Sequence, residues 1–288
     1  IQMLKQRLIF GTLMTAVFVG LILFDGWMDG SLSGPAIAGK AQGTLFLLLV
    51  GLLAVPAQME TAALARAGGI RIYIPEAVVG SIVLASAFYW AALSDNPEHF
   101  LLYYLLLSLF LIFAGLFLVQ IVRQGVEGTL KNCSASFFSI FYLGFLSSFV
   151  MAIRVADGPW AILLYIFTIK CSDTGAYTIG KIMGRHKLAP VVSPKKTWEG
   201  LGGAVLGGII GACLLSAVSG IISLKQAVIF GAVFAVLGQL SDLSESMLKR
   251  DAGQKDASET IPGFGGVLDV IDSLLLPAPL AYLFFLWK

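Results

Sequence analysis

Apolar stretches long enough to cross a bilayer recur along this chain from end to end, and no soluble fold accommodates so many of them. Nine can be drawn: 8–24, 43–59, 74–93, 100–122, 134–153, 159–180, 201–223, 226–247 and 267–287. A helix that crosses the hydrocarbon core needs roughly 20 predominantly apolar residues. Inside that core every backbone N–H and C=O must find a partner within the protein, so spanning segments are helices or closed barrels. The lengths here predict an all-α polytopic integral membrane protein with about nine transmembrane helices. Only 12% of the 288 residues are charged, against about a quarter in soluble domains. Little remains for a soluble domain.

The loops give this arrangement a direction. If the N-terminus is inside, one side receives fourteen cations: Lys5, Arg7, Arg66, Arg71, Arg123, Lys131, Lys181, Arg185, Lys187, Lys195, Lys196, Lys249, Arg250 and Lys255. The other receives Lys40, Arg154, Lys225 and Lys288. The positive-inside rule then predicts a cytoplasmic N-terminus and, after nine crossings, a C-terminus outside. The first apolar run lacks a small-residue cleavage pattern and reads as a retained helix. A net charge of +2, with no basic stretch interleaved with aromatics, excludes nucleic acid as an expected partner. Cys133, Cys171 and Cys213 lie in or beside apolar runs and form no CxxC pair, so they read as small buried residues.

Charge is distributed unevenly along the chain. Residues 1–155 carry few intramembrane charges and read as a lipid-facing scaffold of helices. Residues 156–288 carry most of them, together with two longer polar cytoplasmic loops at 181–200 and 248–266. A charged side chain at bilayer depth costs about 2.5–3.5 kcal/mol, so each needs a partner or a watered cavity. Lys170 and Asp173 share a helix face, as do Asp242 and Glu245, and Asp269 and Asp272, each pair three residues apart. Five acids on three late segments face one intramembrane lysine, and cations from outside the chain are the natural balance. Oxygen ligands without His or Cys favour Mg²⁺ or Ca²⁺ over zinc.

The polar loops supply the opposite charge. Ser193-Pro194-Lys195-Lys196-Thr197-Trp198-Glu199-Gly200 runs into the seventh segment, placing two lysines and two hydroxyls before a helix N-terminus. Lys249, Arg250 and Lys255 follow Asp242. Gly175, Gly180 and Gly184, and the run Pro262-Gly263-Phe264-Gly265-Gly266, allow backbone to approach a ligand. Carboxylates for a metal beside bases for phosphates are the parts of phosphoryl or nucleotidyl transfer. The row Gly202, Gly203, Gly207, Gly208 and Gly211 has instead the spacing of close helix packing.

These motifs resemble the CDP-diacylglycerol synthases, or phosphatidate cytidylyltransferases. The C-terminal signature is carried by Ser246 to Arg250, Lys255-Asp256, Ile261-Pro262-Gly263, and Gly265-Gly266-Val267-Leu268-Asp269 with Asp272; Asp173 to Tyr177 and Ser193 to Gly200 look like two upstream motifs. Together they cover about residues 170–275. The resemblance implies that the chain takes CTP and phosphatidic acid to CDP-diacylglycerol and pyrophosphate. It also implies Mg²⁺, with K⁺ as a candidate at a second site, and Asp242 and Asp269 as metal ligands. Asp173, Asp256 and Asp272 are further candidate ligands, and Asp173 and Asp256 also stand with Lys249, Arg250 and Lys255 as catalytic candidates. The substrate phosphates fall to Ser193, Lys195, Lys196, Thr197, Lys249, Arg250, Lys255, Gly263, Gly265 and Gly266. The expected setting is a bacterial inner membrane with the site facing the cytoplasm, membrane lipids around it and a homodimer as a candidate assembly. Three positions depart from the family pattern: Ser241 replaces a glycine, Phe264 a histidine and Val270 an arginine.

Two other readings are open. A CTP-dependent polyprenol or phytol kinase would release CDP rather than pyrophosphate. A cation-coupled transporter would show inverted repeats and acids in both halves, and this chain has neither.

Overall fold

The computed structural model describes residues 2–32, 41–254, 258 and 265–288, with side chains from residue 15 onward. Lys255, Asp256, Gly263 and Phe264 lie outside the described residues. The chain is built from helices α1 (Gln2–Met28), α2 (Thr44–Ala67), α3 (Ile74–Ala85), α4 (Ala87–Ala92), α5 (Pro97–Gln124) and α6 (Thr129–Ile140). A π turn at Phe141–Phe145 leads into α7 (Leu146–Met183), and α8 (Trp198–Ser219), α9 (Leu224–Asp251), α10 (Val267–Leu275) and α11 (Ala278–Leu286) complete it.

Among the described residues, six helical stretches are long and apolar enough to cross a membrane, and α10 with α11, bent by 41°, would make a seventh. The protein is therefore an integral membrane protein whose apolar segments are all helical. Nine spans were expected, and the difference has identifiable sources. Segments 134–153 and 159–180 fall within one 55-residue stretch, Thr129–Met183. A straight helix of that length would run roughly 80 Å, more than twice the bilayer core. Gly158 breaks it with φ +82° and ψ −174°, a conformation open to glycine alone. Pro159 follows, with no N–H to lose at the start of a new helical run. The first expected span lies in α1, whose described apolar part is the shorter Thr15–Met28.

Helices α7, α8 and α9 meet at backbone distance. A Cβ on Gly203 would lie 2.5 Å from Gly175 O, and one on Gly208 would lie 2.6 Å from Gly231 O. The glycine row of α8 thus packs as its spacing predicts, except for Gly202, which has no neighbour within 4 Å. Gly175, expected near a ligand, serves this packing instead.

Loop 181–200 contains structure the hydropathy pattern does not reveal. Strands β1 (Lys187–Ala189) and β2 (Ser193–Thr197) pair antiparallel, with Lys187 opposite Thr197 and Ala189 opposite Ser193. Thr197 then caps α8, its Oγ1 accepting the Gly200 N–H at 3.1 Å.

Arg154, counted above with the outer-loop cations, is fully buried. Its Nη2 lies 2.7 Å from both Asp25 Oδ2 and Asp29 Oδ2, and Nη1 donates to Ser31 Oγ at 3.2 Å. The two carboxylates also accept the Leu45 and Gly43 N–H groups, at 2.9 and 2.8 Å. This network joins α1, the start of α2 and α7. Every charge in it has a partner, as burial of an ion pair demands.

Candidate active site

The site is assembled on α9 and α10. The first turn of α10 presents N–H groups that no carbonyl of its own can reach. Glu60 of α2 supplies the acceptors: Val267 N–H donates to its Oε1 at 3.0 Å and Leu268 N–H to its Oε2 at 2.8 Å. Asp269 Oδ2 accepts the Gly266 N–H at 2.7 Å. Two carboxylates at a helix N-terminus also complement its dipole. Gly266 has no room for a side chain, since a Cβ would meet Glu60 Oε2 at 2.4 Å.

With α10 so fixed, Asp272 faces Asp242 and Glu245 of α9. One carboxylate oxygen from each of the three lies within 4.8 Å of the others. Glu245 is fully buried and Asp272 nearly so, while Asp242 is 34% exposed in its side chain and marks the open side. Ser241 helps to hold this register: its Oγ donates to Asp272 O and accepts the Leu276 N–H at 3.3 Å. The hydroxyl found where the family resemblance expects a glycine thus ties α9 to α10.

Three lysines enter among the acids. Lys249 Nζ ion-pairs with Glu245 Oε2 and lies 2.6 Å from Asp269 Oδ1. Lys196 Nζ, arriving from β2, lies 2.6 Å from Asp242 Oδ2 and donates to Gln239 O at 3.1 Å. Lys170 Nζ donates to Val270 O and Ser273 Oγ, both at 2.9 Å, and lies 3.4 Å from Asp173 Oδ2. Asp173 also accepts from Gln239 Nε2 at 3.1 Å and Ser273 Oγ at 3.3 Å. Among the described residues, Asp173, Asp242, Glu245, Asp269 and Asp272 exceed these three ammonium groups by two negative charges, before Glu60 is added. Lys170 is the one intramembrane lysine legible from hydropathy; the fold brings Lys196 and Lys249, read there as loop cations for phosphates, into direct ion pairs with the acids.

The donor set fits a hard divalent cation. Glu245 Oε1 is buried without a hydrogen-bond partner, a costly state for a carboxylate oxygen. Three converging carboxylates, with no nitrogen or sulfur among them, suit Mg²⁺ or Ca²⁺. The structure places Asp269 differently, between Lys249 and the Gly266 amide, with Asp242, Glu245 and Asp272 forming the converging group.

The remaining expected residues surround this centre. Lys195 is exposed on β2, Ser193 opens that strand, and Thr197 is occupied in capping α8. Arg250 Nε donates to Val192 O at 3.1 Å and Nη1 to Gln254 O at 3.0 Å, bracing the hairpin against the end of α9. Gly265 has φ +98° beside Asp269. Glu60, Gln239 and Ser273 were not singled out from sequence. For Glu60 the available signal was an acid at the end of an apolar run.

The family model described as the cytidylyltransferase family matches residues 5–287. A phosphatidate cytidylyltransferase of Synechocystis sp. is 34% identical over 197 residues, 56% of this chain and 64% of that protein. Another, of Staphylococcus haemolyticus, is 38% identical over 143 residues, 49% of this chain and 55% of that protein. One from Haemophilus influenzae is 42% identical over 135 residues, 43% of this chain and 46% of that protein. The chain thus spans about half to two thirds of the length of the curated relatives it matches.

Proposed function

This chain belongs to the cytidylyltransferase family, and from that premise we propose that it transfers the cytidylyl group of CTP to phosphatidate. The products are CDP-diacylglycerol and pyrophosphate. The observation that carries this reading is the convergence of Asp242, Glu245 and Asp272 amid lysines drawn from α7, β2 and α9.

A phosphate oxygen of phosphatidate attacks the α-phosphorus of CTP, the bond to the β-phosphate oxygen breaks, and pyrophosphate departs with the electron pair. Asp242, Glu245 and Asp272 are the residues assigned to hold Mg²⁺, which when bound supplies charge neutralisation for the triphosphate. Lys195, Lys196, Arg250 and Lys255 are assigned to attract and position the phosphates of both substrates. Lys249 holds Glu245 and Asp269 in place. The acceptor is already an anion, so the chain needs no strong base. Positioning and charge complementarity carry the rate.

The distribution of lysine and arginine supports nine crossings, a cytoplasmic N-terminus and a site open to the cytoplasm of a bacterial inner membrane. Residues 1–155 serve as scaffold and 156–288 as the catalytic region. The test is pyrophosphate release by the purified protein in detergent with CTP, Mg²⁺ and phosphatidic acid, against controls lacking the lipid. Lipid-dependent pyrophosphate with a CDP-lipid product is expected. Release of CDP would mean transfer of the γ-phosphoryl group and would overturn the reading.

A further inference from the structure

Away from the carboxylates lies a cavity of about 540 Å³ between the end of α2, the start of α3 and the end of α5. Arg66, Arg71 and Arg123 line it, with Ile70, Ile72 and Ile74 between them. None of the residues assigned to the active site takes part. Among the described residues neither Arg66 nor Arg71 has a carboxylate partner. Arg123 has one, which is not itself part of the lining: its Nη2 lies 2.9 Å from Glu76 Oε1. Three guanidiniums and one carboxylate leave two positive charges.

The cavity is held in shape from beneath. Arg71 N–H donates to Asn132 Oδ1 and Tyr73 N–H to Ser136 Oγ, both at 3.1 Å, fixing the α2–α3 connection against α6. Tyr73 Oη donates to Gln120, whose Nε2 donates to Gly125 O at 3.0 Å and Glu127 O at 2.8 Å. The arginines therefore project from a braced frame.

Its depth points to the ligand. Helix α5 has 28 residues, ends one position beyond Arg123, and exposes an apolar face that includes Leu111, Leu118 and Val122. A helix of that length runs about 42 Å, which covers the hydrocarbon core and both headgroup layers. Arg123 therefore stands at headgroup level, at the foot of a surface that faces acyl chains. Arg66 follows Glu60 on α2 by less than two turns, so the cavity opens at the same end of the bundle as the carboxylate group. Basic pockets at this depth between membrane helices hold phosphate headgroups.

We propose that this cavity binds the phosphate of an anionic membrane phospholipid, with the isoleucines and the outer face of α5 against its acyl chains. It is a second lipid site, and it stands whether or not the carboxylate group performs cytidylyl transfer. The test uses the purified full chain in neutral detergent, with binding of phosphatidylglycerol followed by native mass spectrometry. Phosphatidylcholine and inorganic phosphate are the controls. A juxtamembrane arginine contributes about five-fold to such binding, so R66Q/R71Q should bind phosphatidylglycerol about 25-fold more weakly. Releasing Arg123 from its partner in E76Q should tighten binding about five-fold, while phosphatidylcholine responds to neither change. Equal phosphatidylglycerol affinity in wild type and R66Q/R71Q overturns the proposal. So does inorganic phosphate binding as tightly as the lipid with the same arginine dependence, because the ligand is then a soluble anion. Should R66Q/R71Q fail to fold, E76Q decides alone, and unchanged affinity in it overturns the proposal.

Discussion

Glu60 accepts the Leu268 N–H at 2.8 Å across 208 residues of chain. The helix that carries Asp269 and Asp272 is therefore started by a side chain from the N-terminal half. E60A should leave two buried N–H groups at α10 without their acceptor. Loss of a cap costs about 0.5–2 kcal/mol, so a lowered melting temperature is expected together with about ten-fold lower turnover. Unchanged turnover at the lowered melting temperature would show that α10 holds its place without Glu60.

The carboxylates divide into two classes with different signatures. D242N and D272N should each lower pyrophosphate release at least about 100-fold, the scale of losing one group that meets developing charge. The Mg²⁺ concentration giving half-maximal rate should rise with them. D269N should abolish turnover with the protein still inserted. Because Asp269 pairs with Lys249 and caps α10, that variant should also melt earlier. Near-normal turnover in D269N would remove it from the site.

Lys249 sits between two carboxylates, one of them fully buried. K249M should destabilise the protein by about 3–5 kcal/mol, the usual result of leaving buried charge uncompensated. Adding E245Q removes one of those charges and should restore part of the melting temperature without restoring activity. A melting curve for K249M identical to wild type would mean that water already screens the pair.

Helix packing offers a contrast within one helix. A Cβ on Gly207 would lie 2.5 Å from Cys171 O, so G207A should push α7 and α8 apart and cost about 1–3 kcal/mol. Gly202 meets nothing within 4 Å, and G202A should stabilise by about 0.5–1 kcal/mol through helix propensity. Melting temperatures in one detergent measure both, and a stabilising G207A would refute the close approach of α7 and α8.

The helices were legible because hydrophobic length is a local property, and each drawn segment falls largely in helix, though 74–93 and 267–287 are each broken into two and 201–223 runs past the end of α8. The break at Gly158 also left a mark, a Gly-Pro pair between two apolar runs. Acids of the site stood out because charge is rare and costly within such segments. What sequence could not show is who pairs with whom. Lys196 reads as a loop cation until the hairpin folds it onto Asp242, and Glu60 reads as the end of a span until α10 arrives beneath it. The hairpin escaped notice because strands of three and five residues carry too short a pattern to separate from a polar loop.

The enclosed Arg154 has a consequence for biogenesis. Helices of a polytopic protein leave the ribosome in order, and α1, with Asp25 in its last turn and Asp29 just after it, is made well before the stretch that bears this guanidinium. Arg154 lies about one turn before the break at Gly158, and unless Asp25 and Asp29 were already beside it, its guanidinium would be buried with no counter-charge. The end of the first helix thus acts as a docking station for a later one, and a chain synthesised without it would leave the guanidinium of α7 with neither carboxylate.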